Sequence, residues 1–359
     1  MAKIVVIGSG LSGLSAALHL SAAQHHVVIL ESKQRIGGRG TSEMMDNVSF
    51  GFGPHVLLKN GPTHQLTKKL SRVRLYTKPI RLEHIQTSNG PLRPNSYTGI
   101  AEFRRSLKSM NTEHHAVRCL QLLATYGIDH QQAPERINAY AKSKALVTAK
   151  GWAGIIGRLA GALDEVGVYV ETNCRVTAIN ETTVQLEDGR TVDADAVVLA
   201  CGISSTKKLL SKVQNERLQP IETKYASTID VALFSNPMGQ LHAFIDNNER
   251  QFVLHLSKIQ PRMIHPGSIL SAAKLLSPSE EDALEELSQF LDSRFAGWDQ
   301  HVMHIRRQKK ILMWAKSENT EDMFSKSNIF LAGDWLTSEY LFSDAAVESG
   351  RIVASKIQY

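Results

Sequence analysis

Cysteine is scarce: Cys119, Cys174 and Cys201 are the only three in 359 residues, widely separated and in no C-x-x-C spacing. This excludes a disulfide framework and a zinc cluster, and the expected setting is a reducing cytoplasm. Proline is sparse as well, at 11, and 42% hydrophobic with 21% charged residues excludes a disordered or fibrous chain. No uninterrupted apolar run reaches the ~20 residues of a membrane span. The nearest candidate, Ile4 to Leu30, is broken by glycines, serines, Gln24, His25 and His26, so it reads as neither signal peptide nor span. Fourteen histidines include no H-x-x-x-H pair, and His25-His26, His114-His115 and the pair His301 and His304 lack carboxylate partners, so no metal is expected. Nor does any G-x-S-x-G elbow or Cys-His arrangement point to covalent catalysis.

The sequence does carry a basic excess, 41 Lys+Arg against 35 Asp+Glu for a net charge of +6. That balance favours anionic partners, such as a phosphate-bearing cofactor or an anionic membrane surface touched peripherally. Arg306, Arg307, Lys309 and Lys310 cluster only briefly, as a solvated run beside a buried strand would, and no nucleic-acid partner is expected. At ~100–200 residues per domain the length suggests about two domains.

The strongest signal is at the amino end. Residues 3–8, KIVVIG, read as a buried parallel strand, followed by Gly8, Gly10 and Gly13 in G-x-G-x-x-G. A helical pattern through Leu14, Ala17, Leu18 and Leu20 leads to a second strand, 27–30, that ends in Glu31. Each position has a mechanical reason. Gly8 permits the turn, Gly10 admits a pyrophosphate, and Gly13 lets the helix approach the strand. The helix start, with Leu11 and Ser12, offers amide donors and a positive dipole. Glu31, with Ser32 beside it, suits an adenosine ribose, and an acid there disfavours a 2′-phosphate.

RIGGR at 35–39 and FGFGPHVL at 50–57 follow, and NIFLAGDW at 328–335 with SDAAVESGRIVASKI at 343–357 closes the chain. Together these motifs resemble the FAD-dependent amine oxidases and, more closely, the phytoene desaturase-like flavoenzymes. The resemblance implies that Gly37, Gly38 and Arg39 lie along the FAD pyrophosphate, and that Gly53, Pro54 and His55 approach the flavin ring. It further implies that Val176 in the strand RVTAI contacts adenine. Gly333 and Asp334 would meet the ribityl-phosphate region, with Ala345 and Ala346 at the flavin's pyrimidine edge. Asp344 and Ala345 depart from the glutamate and glycine usual there, and the added methyl bears on how the ring is seated.

The expected fold is α/β, a Rossmann-like FAD-binding domain with a discontinuous mixed α+β substrate domain. Residues 1–57, 151–220 and 325–359 make the first; 58–150 and 221–324 make the second. In the first, Ile155, Ile156, Leu159, Ala162, Leu163 and Val166 share a helical face, and Asp188-Gly189 turns a hairpin. In the second, Ile137, Tyr140 and Leu146 read as helical, strands occupy much of 221–316, and a helix begins after Ser277-Pro278-Ser279.

Candidate substrate-pocket residues are His55, Trp335, Tyr340 and Phe342. Phe342 stands two residues before Asp344, where amine oxidases place an aromatic against the flavin. No catalytic side chain is assigned, because the flavin carries the chemistry. The reading is an FAD-dependent oxidoreductase with non-covalent FAD that dehydrogenates or desaturates an apolar, isoprenoid-like substrate. The pocket is expected to hold no committed charged partner. Dioxygen or a quinone would reoxidise the flavin, since no second dinucleotide motif is present for a nicotinamide. The alternatives are an amine or amino-acid oxidase and a non-catalytic flavoprotein.

Overall fold

In the computed structural model, the described residues are 1–45, 48–51, 56–70, 74–210, 218, 220–317, 328–336 and 338–357. The run Lys3–Ile7 is the central strand of a five-stranded parallel sheet, and Ile4, Val5 and Val6 are fully buried because both faces are covered. It pairs with His26–Leu30 on one side and Ala196–Leu199 on the other. Tyr169–Glu171 and Ile329–Leu331 complete the sheet at its edges. Because every pairing is parallel, the strands' carboxyl ends share one rim, where Gly8, Glu31, Ala200 and Gly333 follow. Such a rim is where open α/β sheets bind ligands.

Helix Leu11–Ala22 is sandwiched between helices Gly151–Glu165 and Phe342–Lys356. Close approach requires glycine: a Cβ on Gly350 would lie 2.5 Å from the Ser12 carbonyl oxygen and 2.7 Å from the Ala16 nitrogen. Ile155, Ile156, Leu159, Ala162 and Leu163 are buried as their spacing predicts. Val166 is not, since it caps the helix end and is exposed. Gly189 at φ +87° turns Thr183–Leu186 into Thr191–Asp193, which with Val176–Asn180 form a three-stranded antiparallel sheet.

The other sheet has seven strands, in the order Val302–Ser317, Pro220–Leu233, Ser268–Leu275, Gln251–His255, Ala243–Asp246, Ile85–Thr87 and Gly90–Pro91. Helices His115–Thr125 and Ala133–Ala141 share a core with one face, around Leu120, Phe252 and Leu254. Helix Leu284–Arg294 covers the opposite face, with Leu287 against Val231 and Leu270. Full burial of a leucine such as Leu120 or Leu287 contributes ~1.5–3 kcal/mol.

Two sequence expectations shift here. The helix after Ser277 starts only at Leu284, because Glu280 accepts from the Ser277 amide and hydroxyl, closing a turn first. Leu146 lies in strand Ala145–Thr148, the preceding helix having ended through Ser143 at φ +54° and the Lys144 amide bonded to the Ala139 carbonyl. The basic run is largely engaged within the protein: Arg306 pairs with Asp230 at 2.7 Å, Lys310 with Glu281 at 2.6 Å and Lys309 with Asp282 at 3.4 Å. Among the described residues no helix is long and apolar enough to cross a membrane.

Candidate functional site

A cavity of about 1230 Å³ opens along the carboxyl rim of the parallel sheet and runs beneath the seven-stranded sheet. A single drug-sized ligand needs ~300–1,000 Å³, so there is room for a dinucleotide and a second molecule.

Its first wall is backbone. Gly8 has φ +105°, and a Cβ there would meet the Ala200 carbonyl at 2.9 Å. Gly13 faces away from the cavity, its absent Cβ allowing the helix to sit on the Gly8 carbonyl, which a methyl would meet at 2.0 Å. Gly10 is different, with nothing within 4 Å of its would-be Cβ. It is the N-cap of the twelve-residue helix Leu11–Ala22, whose first amides no side chain caps, and Leu11 and Ser12 line the cavity beside it. An open cradle facing uncapped amides at the positive end of a helix fits a pyrophosphate. Gly37 and Gly38, at φ +103° and +55°, carry the next loop across it, and Gly38 comes so near that a Cβ would touch Gly10 Cα at 3.1 Å.

Glu31 lines the cavity but is also a brace. One carboxylate oxygen accepts from the Ser9 amide at 2.9 Å and the Ser9 hydroxyl at 2.6 Å. The other accepts from the Lys33 amide at 2.9 Å and, more weakly, from the Ser32 hydroxyl at 3.4 Å. A carboxylate offers about four acceptor sites, so any ribose hydroxyl competes with this turn. Ser32 and Val176 line the same end, with Cys174, Arg175 and Cys201, which the sequence reading did not single out.

Arg39 donates to Asp334 at 2.5 Å, joining motifs 295 residues apart. Gly333 lines the wall and is held by its amide bond to the Ser349 hydroxyl at 2.9 Å. Trp335 lies over Gly333, where a Cβ would be 2.3 Å from the indole nitrogen, and that nitrogen donates to the Cys201 carbonyl at 3.4 Å. Ala346 reaches the cavity. Ala345 does not, and neither does Tyr340. Asp344 is turned away as well, accepting from the Thr63 amide at 3.0 Å at the start of helix Pro62–Lys69. Burial raises the Asp344 pKa, against a smaller opposing effect of the Arg136 charge. Gly53, Pro54 and His55 lie outside the described residues.

The far end of the cavity is built from side chains. Phe342 enters it from a backbone at φ +57°, a conformation costly for a bulky residue and persisting only where its surroundings fix it. Tyr126 meets its ring edge-on at 5.0 Å, and the Arg136 guanidinium lies over its face at 5.0 Å. Burial pushes the Tyr126 phenol up to about 12 and the Tyr140 phenol higher still, so both are neutral. Val56, Leu123, Ala124, Ile311 and Met313 supply apolar wall. Arg136 and Tyr126 were not foreseen as site residues. The available signal was an arginine beside Ile137 on the buried face of a short helix, informative only once that helix is known to face a ligand cavity.

With this geometry in place, the comparisons decide the family. The model of the FAD dependent oxidoreductase family matches residues 3–313. The chain belongs to that family. FAD is thus its cofactor. A stretch of 81 residues, 23% of this oxidoreductase, is 36% identical to an L-amino-acid oxidase of Sistrurus catenatus edwardsii but spans only 14% of that enzyme. Another of 55 residues, 15% of the chain, is 38% identical to a 4,4'-diapophytoene desaturase (4,4'-diaponeurosporene-forming) of Staphylococcus haemolyticus, spanning 11% of it. An oxidoreductase from Methanosarcina mazei shares the fold, with a TM-score of 0.73 at 20% identity over 99% of this chain and 100% of that one.

Proposed function

We propose that this flavoprotein dehydrogenates an apolar substrate held in the far end of the cavity. One observation carries the reading: a single cavity joins the Gly8–Gly13 turn to walls formed by Leu123, Ala124, Ile311, Met313 and Phe342. In this reading FAD, bound without a covalent link, supplies the two-electron acceptor. Gly10, Leu11 and Ser12 hold its pyrophosphate, and Glu31, Ser32 and Val176 its adenosine. Gly37, Gly38 and Arg39 close over the phosphates, Gly333 and Asp334 take the ribityl side, and Ala346 borders the ring. Phe342 would border the substrate in the chamber, and the apolar walls would exclude water. The electron acceptor is dioxygen or a quinone.

The test is anaerobic mixing of purified yellow protein with isoprenoids, fatty acids, amines and amino acids while the flavin absorbance is followed. Bleaching by an apolar compound is expected, with flavin released on acid precipitation. A second reading, oxidation of an amine or amino acid, is favoured by the Tyr126–Phe342 aromatic pair in the chamber. Against it, the only carboxylates lining the cavity among the described residues are Glu31 and Asp334, both in the cofactor motifs. Rapid bleaching by an amino acid and by no apolar compound would establish that second reading. Fast, saturable bleaching by NADH or NADPH would overturn the expectation that no nicotinamide is used.

A further inference from the structure

Arg136 contradicts the expectation of a chamber without a committed charge. It is 5% exposed and lines the cavity from helix Ala133–Ala141. Its Nε donates to the Ala124 carbonyl at 2.8 Å, which fixes the plane of the guanidinium, and its carbon lies over the Phe342 ring at 5.0 Å. Among the described residues, neither Nη makes a hydrogen bond and no carboxylate lies within ion-pair distance. The buried acid Asp344 senses the Arg136 charge but is bonded to the Thr63 amide instead. A guanidinium cannot shed its proton, and taking it out of water costs several kcal/mol. A carbonyl and an aromatic face return only part of that. What remains is a preoriented pair of donors, turned on a fixed stem into a cavity that is otherwise apolar at this end. A forked donor of this kind matches the two oxygens of a carboxylate.

We propose that Arg136 anchors the carboxylate of the substrate, which is therefore an apolar-chain carboxylic acid rather than a neutral hydrocarbon. The chain lies along Leu123, Ile311 and Met313, and the carboxylate meets the Nη edge of the guanidinium, away from its contacts with the Ala124 carbonyl and the Phe342 ring. An amino acid fits less well, because no acid among the described residues lines this end to receive its ammonium group. This assignment rests on the proposed function only in placing the substrate in the chamber. Its test reads binding rather than flavin reduction, so the two fail separately.

The flavin-loaded protein is titrated with decanoate, decanol, methyl decanoate and leucine, and the perturbation of the flavin spectrum is followed. Decanoate is expected to bind about ten- to a hundredfold more tightly than the two neutral probes. Leucine is expected to bind more weakly than decanoate. Arg136→Gln should bring decanoate down to the level of decanol and leave decanol unchanged, while Arg136→Lys restores part of the difference. Equal binding of decanoate and decanol by the unmodified protein would overturn the proposal, as would equal weakening of both probes in a folded Arg136→Gln protein. Tighter binding of leucine than of decanoate would transfer the anchor to an amino acid and overturn it too. If Arg136→Gln does not fold, the comparison of probes on the unmodified protein and on Arg136→Lys decides.

Discussion

The two ends of the cavity are made of different material. At the sheet rim the wall is main chain: Gly8, Gly10 and Gly38, the first amides of helix Leu11–Ala22, and a glutamate that braces the turn. At the other end it is side chain: Phe342, Tyr126, Arg136 and Met313, drawn from four elements that converge only in the folded molecule. A backbone wall recognises a phosphate whatever substrate is processed. A side-chain wall can be remodelled one residue at a time, and under the proposed function it is here that substrate choice would reside. The rim should therefore fail through geometry, the chamber through chemistry.

The sharpest way to break that contrast is a pair of glycine variants. Gly13→Ala places a methyl 2.0 Å from the Gly8 carbonyl. It should cost about 3 kcal/mol or more and strip the flavin, as read by thermal denaturation and flavin content. Gly10→Ala meets nothing within 4 Å, so stability should stay within about 1 kcal/mol while flavin retention falls. Equal effects of the two on stability would show that Gly10 is structural rather than a cradle.

Next in size is an acid sensitivity placed in the seven-stranded sheet. Burial lowers the His255 pKa to about 4, from an ordinary 6.5. The unfolded chain thus takes up a proton as pH falls below 6.5, while the native state stays neutral until about 4. Stability is lost across that window, on the order of 3 kcal/mol from this residue. His242, also lowered to about 4 by burial, acts in the same direction. Urea unfolding at about pH 7 and about pH 4.5 should show the loss, and His255→Leu should remove part of it. An unchanged pH dependence in that variant would place the acid sensitivity elsewhere.

Phe342→Ala is expected to be milder on stability, about 2 kcal/mol, since it removes one aromatic contact and one cation–π contact. Its turnover should fall by about tenfold while flavin content is nearly unchanged; parallel loss of both would make Phe342 part of the cofactor wall. The smallest effect is expected from Asp344→Asn. Burial raises the Asp344 pKa, so the ionised form is penalised in the native state and stability rises as pH falls through the raised value toward the ordinary 3.8. Asparagine keeps an acceptor for the Thr63 amide without that penalty, so stability at neutral pH should change by less than about 1 kcal/mol, in the stabilising direction. A loss of several kcal/mol would mean that the Asp344 charge is needed, with Arg136 its partner.

Much of the rim was legible because its determinants are local. G-x-G-x-x-G, Glu31 and the flanking strands lie within ~30 residues, so chain order alone brings them together. The strand at 329–331 and the following Gly333-Asp334 were readable for the same reason, as was the hairpin at Asp188-Gly189. The chamber was not legible in this way. Arg136 differs from a surface arginine only through the Ala124 carbonyl and the Phe342 ring beside it, and Phe342 is 206 positions away in the chain. Asp344, which stands where the resemblance has a glutamate, turns to Thr63, because Gly61 leaves room beside it that a Cβ would fill at 2.5 Å. By itself, the sequence determined the glycine turn and the parallel strands, since these follow from backbone conformation and short-range periodicity, while the cofactor was legible through the resemblance of its motifs to a flavoenzyme family. Only the tertiary structure decided which side chains line the far end of the cavity and that Arg136 is buried there without an ion pair among the described residues, because burial and pairing depend on residues that meet only after the chain has folded.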